Sequence, residues 1–567
     1  MKTARTIGLG GLGPILLATV CSVAAAGACG TTPADEASQT ASTEAIDSYH
    51  HRGPEAGAGD SGETAPAECV HVDLASILPG GAHPDPDVLR INAEIAATEA
   101  SALQEAKMGA SLDTFHRLTL LGTLELYDVN LSVNRNVACV TCHDPEAGFT
   151  GASSLLNSTT AAQPGSVPIT NAIGDEPNYR ISNRKPQSYG YAAFAPILHY
   201  NATQGTFYGG NFWDMRATGT RLGNPAAEQA EGPPLNPVEM AFPDSACAVY
   251  RLATGAYRRF FELVYGRISF AIDWPRDIEE VCSRPGPAPA NDPFPVHLRD
   301  LEREISNQTF DHMAMAMALY EASPSVSPFS SKFDFVLAGA STLSDQEQRG
   351  WDLFHGKANC NQCHLDGTAT GQSSKGFTPA DLAPLFTDFT PNNIGIPRNG
   401  CLPWYEENRP DQFGFTANPA GAAYIDDGFG AFLSGNALAP NPNPTDWAPL
   451  APTFNGLFRT PTLRNVDKRP RPDFVKDYMH NGYLKSLKEV VHFYNTSQAL
   501  PRCPQGSPGE KVTCWPLPEV PSTLNTTQLG NLHLTDDEED DVVAFLRTLT
   551  DGFVGASGEG GTDAAGD

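Results

Sequence analysis

Two pentapeptides limit what this chain can fold into: Cys139-Val140-Thr141-Cys142-His143 and Cys360-Asn361-Gln362-Cys363-His364. Each places two thiols about one helical turn apart, with an imidazole directly after the second. That spacing suits addition of the thiols to the two vinyl groups of a haem, and the adjacent His then reaches the iron from the same side. Paired cysteines also build zinc sites and thioredoxin-like redox centres. A His after each pair, in a chain that reads as exported, argues against both. The expectation is two covalent haems c, held by Cys139, Cys142, Cys360 and Cys363, with His143 and His364 as iron ligands.

Export is read from the N-terminus. Lys2 and Arg5 precede an apolar stretch from Ile7 to about Ala28, the order of a signal peptide. The small-residue run Ala24-Ala25-Ala26-Gly27-Ala28 suits cleavage, and Cys29 follows at once. This order is similar to that of a bacterial lipoprotein, although Ala26 stands where Leu is usual, so simple secretion stays open. The expectation is a periplasmic or otherwise exported protein, with a lipid anchor at Cys29 and an outer-membrane lipoprotein as one form of it. No later run has the 18 or so apolar residues needed to span a membrane. The chain has 37 Lys and Arg against 66 Asp and Glu, a net charge of −29. Such a surface repels phosphate backbones, so nucleic acid is not an expected partner.

Twelve cysteines include six outside the signal and the two motifs: Cys69, Cys247, Cys282, Cys401, Cys503 and Cys514. An oxidising compartment favours disulfides among them. Short loops favour Cys503–Cys514 and Cys247–Cys282, which leaves Cys69 with Cys401; free buried thiols are the alternative.

The 567 residues allow three or four domains at roughly 150 each, or two with large insertions. With 52 Gly and 47 Pro, loops and turns are abundant. Asp144-Pro145 ends the first motif's helix early. Ser344-Asp345-Gln346-Glu347 is a capping box that starts a helix through Trp351 and Phe354 toward Cys360. Thr535-Asp536-Asp537-Glu538 starts a last helix through Val542, Phe545, Leu546 and Leu549. Strand signals are few and short. The fold class expected is mainly α: two cytochrome c-type haem domains with long irregular insertions around Asn201–Asn224, Ala246–Pro295 and Cys401–Ala451. The boundaries read as a signal peptide at 1–28, a flexible acidic tether at 29–80, a first haem domain at 81–335, a second at 336–553 and a disordered tail at 554–567.

Further motifs carry a family resemblance. The first attachment site continues as Asp144-Pro145, then Gly148-Phe149-Thr150. Phe212-Trp213-Asp214-Met215-Arg216, Asn236-Pro237-Val238-Glu239-Met240, Phe458-Arg459-Thr460-Pro461-Thr462-Leu463-Arg464-Asn465-Val466 and Tyr478-Met479-His480-Asn481-Gly482 follow in order. Together these resemble the bacterial dihaem cytochrome c peroxidases and MauG-like enzymes over about residues 110–550. The resemblance implies two cytochrome c domains, one haem peroxidatic and the other receiving or storing electrons, often with calcium between them. It assigns Glu239 as the carboxylate over the peroxidatic iron, Gln229 and Pro233 to the same pocket, and Trp213 to the space between the haems. It places Tyr494, fourteen residues after His480, as distal ligand of the second haem, as in MauG-like enzymes; Met479 is the alternative ligand. Leu487, Val490, Val491 and Tyr494 also fall at helical spacing, so Tyr494 reads equally as one more residue of a buried helix face. For calcium the resemblance points to Asn183, in a register shifted by about one residue, and to the backbone oxygens of Val475 and Asp477.

Between Asp144 and Leu198 the chain has no His, where many relatives carry a distal ligand. An open distal side on the His143 haem follows, with His199 as the remaining candidate ligand. The expected activity is reduction of hydrogen peroxide. Electrons would come from a small cytochrome c or cupredoxin, or from side chains of a protein substrate. A Tyr ligand implies reaction from the resting diferric form, whereas a Met ligand implies prior reduction. The competing class is an electron-transfer cytochrome with both irons six-coordinate; cleavage of an organic substrate is a weaker idea that no residue specifies.

Overall fold

The computed structural model describes residues 69, 72–170, 178–366, 384–435 and 445–555. The proposed signal peptide, Cys29, nearly all of the tether before Cys69 and the tail beyond residue 555 lie outside the described residues. The described chain is mostly helical with little sheet. Its strands form three two-stranded antiparallel pairs: Pro164–Ile169 with Asn178–Ile181, His199–Asn201 with Thr206–Tyr208, and Pro391–Asn392 with Phe458–Arg459. No helix among the described residues is long and apolar enough to cross a membrane.

Two large hydrophobic cores account for most of the burial. One draws on residues between Ile91 and Val326, the other on residues between Phe333 and Leu549. Each is built on a close helix crossing. In the first, helix Thr114–Leu126 lies against helix Asp300–Glu321. Leu121 and Leu124 are fully buried there, and truncating either to Ala costs about 2–5 kcal/mol. Gly122 permits the approach, since a Cβ on it would fall 2.2 Å from the Ala316 carbonyl oxygen. In the second core, helix Asp345–His355 lies against helix Asp536–Arg547, and a Cβ on Gly350 would fall 1.9 Å from Asp541 O. Both helices of this second pair start at the capping boxes read from sequence, Ser344 with Glu347 and Thr535 with Glu538.

The first of these helices stops at His355, short of Cys360. Gly356 closes it, and Asn359 in the left-handed region (φ 56°) turns the chain into the attachment motif. The segment Ala246–Pro295 also differs from expectation. It is not an irregular insertion: it contains helices Ser245–Thr254 and Arg258–Tyr265, and Val249, Leu252, Phe260 and Phe261 belong to the first core. The stretch from Cys401 onward packs back on the first half. Leu402 and Trp404 join Leu74, Leu156, Ile181 and Val238, while Phe429, Phe432 and Phe454 surround Phe207 and Met215. All three disulfides form as spacing suggested: Cys69–Cys401, Cys247–Cys282 and Cys503–Cys514.

Candidate functional site

The second attachment motif opens into a large cavity. Cys360, Cys363 and His364 line it, together with Met479 and the Leu487, Val490, Val491 and Tyr494 face of helix Leu487–Thr496. That helix is started by Ser486, whose side chain accepts from Glu489 N. Positions i, i+3, i+4 and i+7 share one face, and Tyr494 lies both on that face and in the cavity wall. His364 Nδ1 donates to Phe386 O at 2.9 Å, which leaves Nε2 for a metal. Burial pushes this imidazole down to about 4, so it is the neutral, ligand-ready form at physiological pH. Burial pushes the Tyr494 phenol up, and the neighbouring Cys363 and Cys360 sulfurs add to the effect.

The chemistry of this cavity fits a haem. Arg459 is buried in its wall, and burial lowers the guanidinium to about 10. Its Nη1 donates to Gly210 O at 3.2 Å, its Nε has no partner, and among the described residues no carboxylate pairs with it. A buried cation of this kind calls for an anion, and a haem propionate supplies one.

The first motif forms a single helical turn, Cys139–Cys142, tied by the donation of Ala138 N to Thr141 Oγ1 at 3.0 Å. Asp144 caps the turn that follows, Pro145–Ala147. The chain then reaches Phe149, whose carbonyl accepts from His143 Nδ1 at 3.0 Å. Burial pushes His143 down to about 4, and the charge of Lys185 pushes the same way. The Tyr189 ring lies 5.3 Å from the imidazole. Burial pushes the Cys139 and Cys142 thiols up to about 12; Glu321 and Glu239 add to this at Cys139, and Glu239 at Cys142.

Glu239 therefore sits beside the first attachment site. Its backbone is fixed by its own N–H to Asn236 O (3.0 Å) and by Ser166 N to its carbonyl (2.6 Å). Asn236 Nδ2 donates to its carboxylate at 2.6 Å. Burial raises the carboxyl above its ordinary value, against the opposing charge of Arg216 and the Asn236 hydrogen bond. Pro233 belongs to the same turn, accepting from Asn236 N and Met240 N at 3.3 and 3.2 Å. Gln229 lies half-buried on the preceding helix, Pro225–Ala230. Trp213 joins the two halves: its indole N–H donates to Lys185 O at 3.1 Å, its carbonyl accepts from Arg459 N at 2.8 Å, and it lines the cavity. His199 is exposed on its strand, with Nδ1 donating to Ile197 O at 2.9 Å and its ring stacked on Tyr208.

Two residues here escaped the sequence reading. Glu321 is fully buried at the end of helix Asp300–Glu321, and its Oε2 has no hydrogen-bond partner. An acid closing the apolar run Ala314 to Tyr320 was its available signal. Arg216 ends the Phe212-Trp213-Asp214-Met215-Arg216 motif, but nothing local in the sequence ties it to Glu239.

The backbone oxygens expected to hold calcium already accept hydrogen bonds from side chains of this protein. Val475 O accepts from Asn157 Nδ2 at 3.0 Å, and Asp477 O accepts from the Lys185 ammonium at 2.7 Å. Asn183 turns its amide N–H to Tyr424 Oη at 2.8 Å.

Comparison with known proteins agrees with this geometry. Residues 116–342 match the family described as di-haem cytochrome c peroxidase. The methylamine utilization protein MauG of Paracoccus denitrificans is 32% identical over 437 residues, covering 76% of this chain and 88% of that protein. The chain belongs to the di-haem cytochrome c peroxidase family. It is thus a di-haem oxidoreductase, of a family that carries two haems c. The cytochrome-c peroxidase IdrP1 of Denitromonas iodatirespirans is 30% identical over 223 residues, 38% of this chain and 44% of that one. The crystal structure of the diheme peroxidase BthA from Burkholderia thailandensis superposes with a TM-score of 0.52 at 25% identity, covering 76% of this chain and 86% of that chain.

Proposed function

We propose that this protein reduces hydrogen peroxide at the His143 site, while the His364 site, ligated by Tyr494 in the MauG-like manner, supplies or stores oxidising equivalents. One observation carries the reading: both imidazoles are held by a phenylalanine carbonyl, but the buried carboxylate of Glu239 acts on the first pair of cysteines while the phenol of Tyr494 lines the cavity of the second. Cys139, Cys142 and His143 would hold a haem here, which when bound would supply the iron for peroxide chemistry. Glu239 takes the proton from the inner peroxide oxygen and returns it to the outer one, so that water leaves. Such general base and acid work contributes roughly 10²–10⁴ in rate. Asn236 holds the carboxylate in place, and its raised proton affinity suits a group that must both take and give a proton. Gln229 and Pro233 shape the pocket beside it.

At the second site Cys360, Cys363 and His364 would hold the haem, and a deprotonated Tyr494 would serve as iron ligand, favouring the oxidised metal and a lower potential; Met479, which lines the same cavity, would raise it. Met479 lies on a left-handed turn (φ 69°) rather than on the helix face. Trp213 carries electrons between the sites. Overall, one peroxide, two electrons and two protons give two waters. The electrons come from a small cytochrome c or cupredoxin, or from a protein substrate. The first haem domain takes residues 81–335 and the second 336–553, in a protein exported to the periplasm or held at the outer membrane through Cys29.

The test is peroxide consumption by the protein with both haems loaded, with a reduced small cytochrome c as donor. Two donor molecules oxidised per peroxide consumed is the expected result. Donor oxidation with no loss of peroxide would leave an electron carrier.

A further inference from the structure

Where the two halves meet, buried lysines occupy the positions a bound cation would fill. Lys185, from the first half, is 7% exposed. Its ammonium donates to Asp477 O at 2.7 Å, Thr150 Oγ1 at 3.1 Å and Asp477 Oδ1 at 3.2 Å. Lys476, from the second half, is 4% exposed. Its ammonium donates to Ala147 O at 2.8 Å, Lys468 O at 2.8 Å and Asn465 O at 3.2 Å. The two are reciprocal: each reaches from its own half into oxygens of the other. Lys485 adds a third crossing, to Asn157 O at 2.6 Å.

Shells made of carbonyl, hydroxyl and carboxylate oxygens are the surroundings a hard cation takes. Here the three donors of each ammonium fill them. A calcium ion bonded to Asp477 O at the usual 2.3–2.6 Å would sit a few ångströms from the Lys185 nitrogen. Two buried cations so close repel strongly, and among the described residues Asp477 is the carboxylate in contact with Lys185. Asp477 Oδ2 is buried with no hydrogen-bond partner, so the charge of this carboxylate is left to the Lys185 ammonium that its Oδ1 accepts from. Val475 O is already taken by Asn157.

The position also matters for the haem sites. Lys185 and Lys476 grip either end of the Ala147–Thr150 loop, and that loop supplies the Phe149 carbonyl that orients His143. Lys185 also passes its own carbonyl to Trp213, and its backbone N–H to His480 O at 2.9 Å. One residue thus touches the loop behind the first haem ligand, the tryptophan and the second half's Tyr-Met-His-Asn-Gly turn.

We infer that the cation joining the two halves is the Lys185 ammonium, with Lys476 as its counterpart from the other side, and that the protein works without calcium. The inference does not depend on the peroxide chemistry, so its readouts are metal content, melting and spectra. Elemental analysis of the desalted protein with both haems loaded should give well below one calcium per chain. A calcium chelator should change neither the melting temperature nor the absorption and EPR spectra. Lys185→Met should lower the melting temperature by about 5 °C or more and perturb the His143 haem spectrum, with Lys185→Arg in between. If Lys185→Met does not fold, the Arg variant and the metal content of the wild type decide. One calcium per chain that survives desalting, with a chelator that lowers melting, would overturn the inference. So would a Lys185→Met protein with unchanged melting and spectra.

Discussion

At His143 and at His364 the same device aims the imidazole. Nδ1 donates to a phenylalanine carbonyl, Phe149 O at 3.0 Å and Phe386 O at 2.9 Å, and both phenylalanines hold a positive φ, 62° and 52°. In both places burial keeps the ring neutral. The surroundings then diverge. Carboxylates of Glu239 and Glu321 lie close to the first pair of cysteines. The second pair faces Leu487, Val490, Val491, Tyr494 and Met479, with the unpaired guanidinium Arg459 in the wall. A shared backbone solution thus holds the two imidazoles alike, and under the proposed function the work of each site is set by the groups around it. A carboxylate can move protons. A phenol in an apolar cavity can bind iron and adjust its potential.

The largest expected break in this asymmetry is Glu239→Gln. It should slow peroxide turnover by about 10²–10⁴ while leaving both haem spectra in place. The pH profile sharpens the point. A base must be ionised to act, and burial raises this carboxyl above the ordinary 4.5. The wild-type rate should therefore fall as pH drops through that raised value, and the Gln variant should lack the fall. Stopped-flow rates across pH check both; an unchanged rate would remove Glu239 from the chemistry.

Tyr494→Met tests the other side. Axial ligands span about 0.8 V of haem potential, and this exchange should raise the second haem by on the order of 0.2 V, read by spectroelectrochemistry. The first haem should not move. If Met479→Leu shifts the potential and Tyr494→Phe does not, the ligand is Met479. A smaller effect is expected of Trp213→Phe, which removes the hydrogen bond to Lys185 O. Electron exchange between the sites should slow about tenfold, equivalent to roughly 1.4 kcal/mol of barrier, with peroxide binding unchanged in single-turnover kinetics. Smallest of all, Ser344→Ala removes the cap that accepts from Glu347 N at 3.3 Å. It should cost about 1 kcal/mol, seen as earlier melting of the His364 haem signal and not of the His143 signal.

What was legible in the sequence was local or covalent. The attachment motifs, the two capping boxes and the helical face carrying Tyr494 depend on residues a few positions apart, and they stand where spacing put them. The disulfides were readable because two of the three close short loops. Long-range encounters were not readable. Nothing near Lys185 in sequence announces Asp477, and Lys476 meets Ala147 only after folding. Glu321 looks like an ordinary helix end until the core closes around it. The helical character of Ala246–Pro295 was masked by its many charges, several of which, such as Arg258 and Arg259 of helix Arg258–Tyr265, lie on the outer faces of short helices. The calcium expectation followed motif positions, from which the donation of Asn157 and Lys185 to those same oxygens could not be read.

The most direct test of the asymmetry is a titration of the as-isolated diferric protein with one equivalent of hydrogen peroxide, followed by absorption and EPR. The account predicts a high-spin ferric signal from an open His143 haem that disappears without added reductant, while the second haem's spectrum changes with it. No reaction until one electron is supplied would contradict Tyr494 ligation and the open first site together.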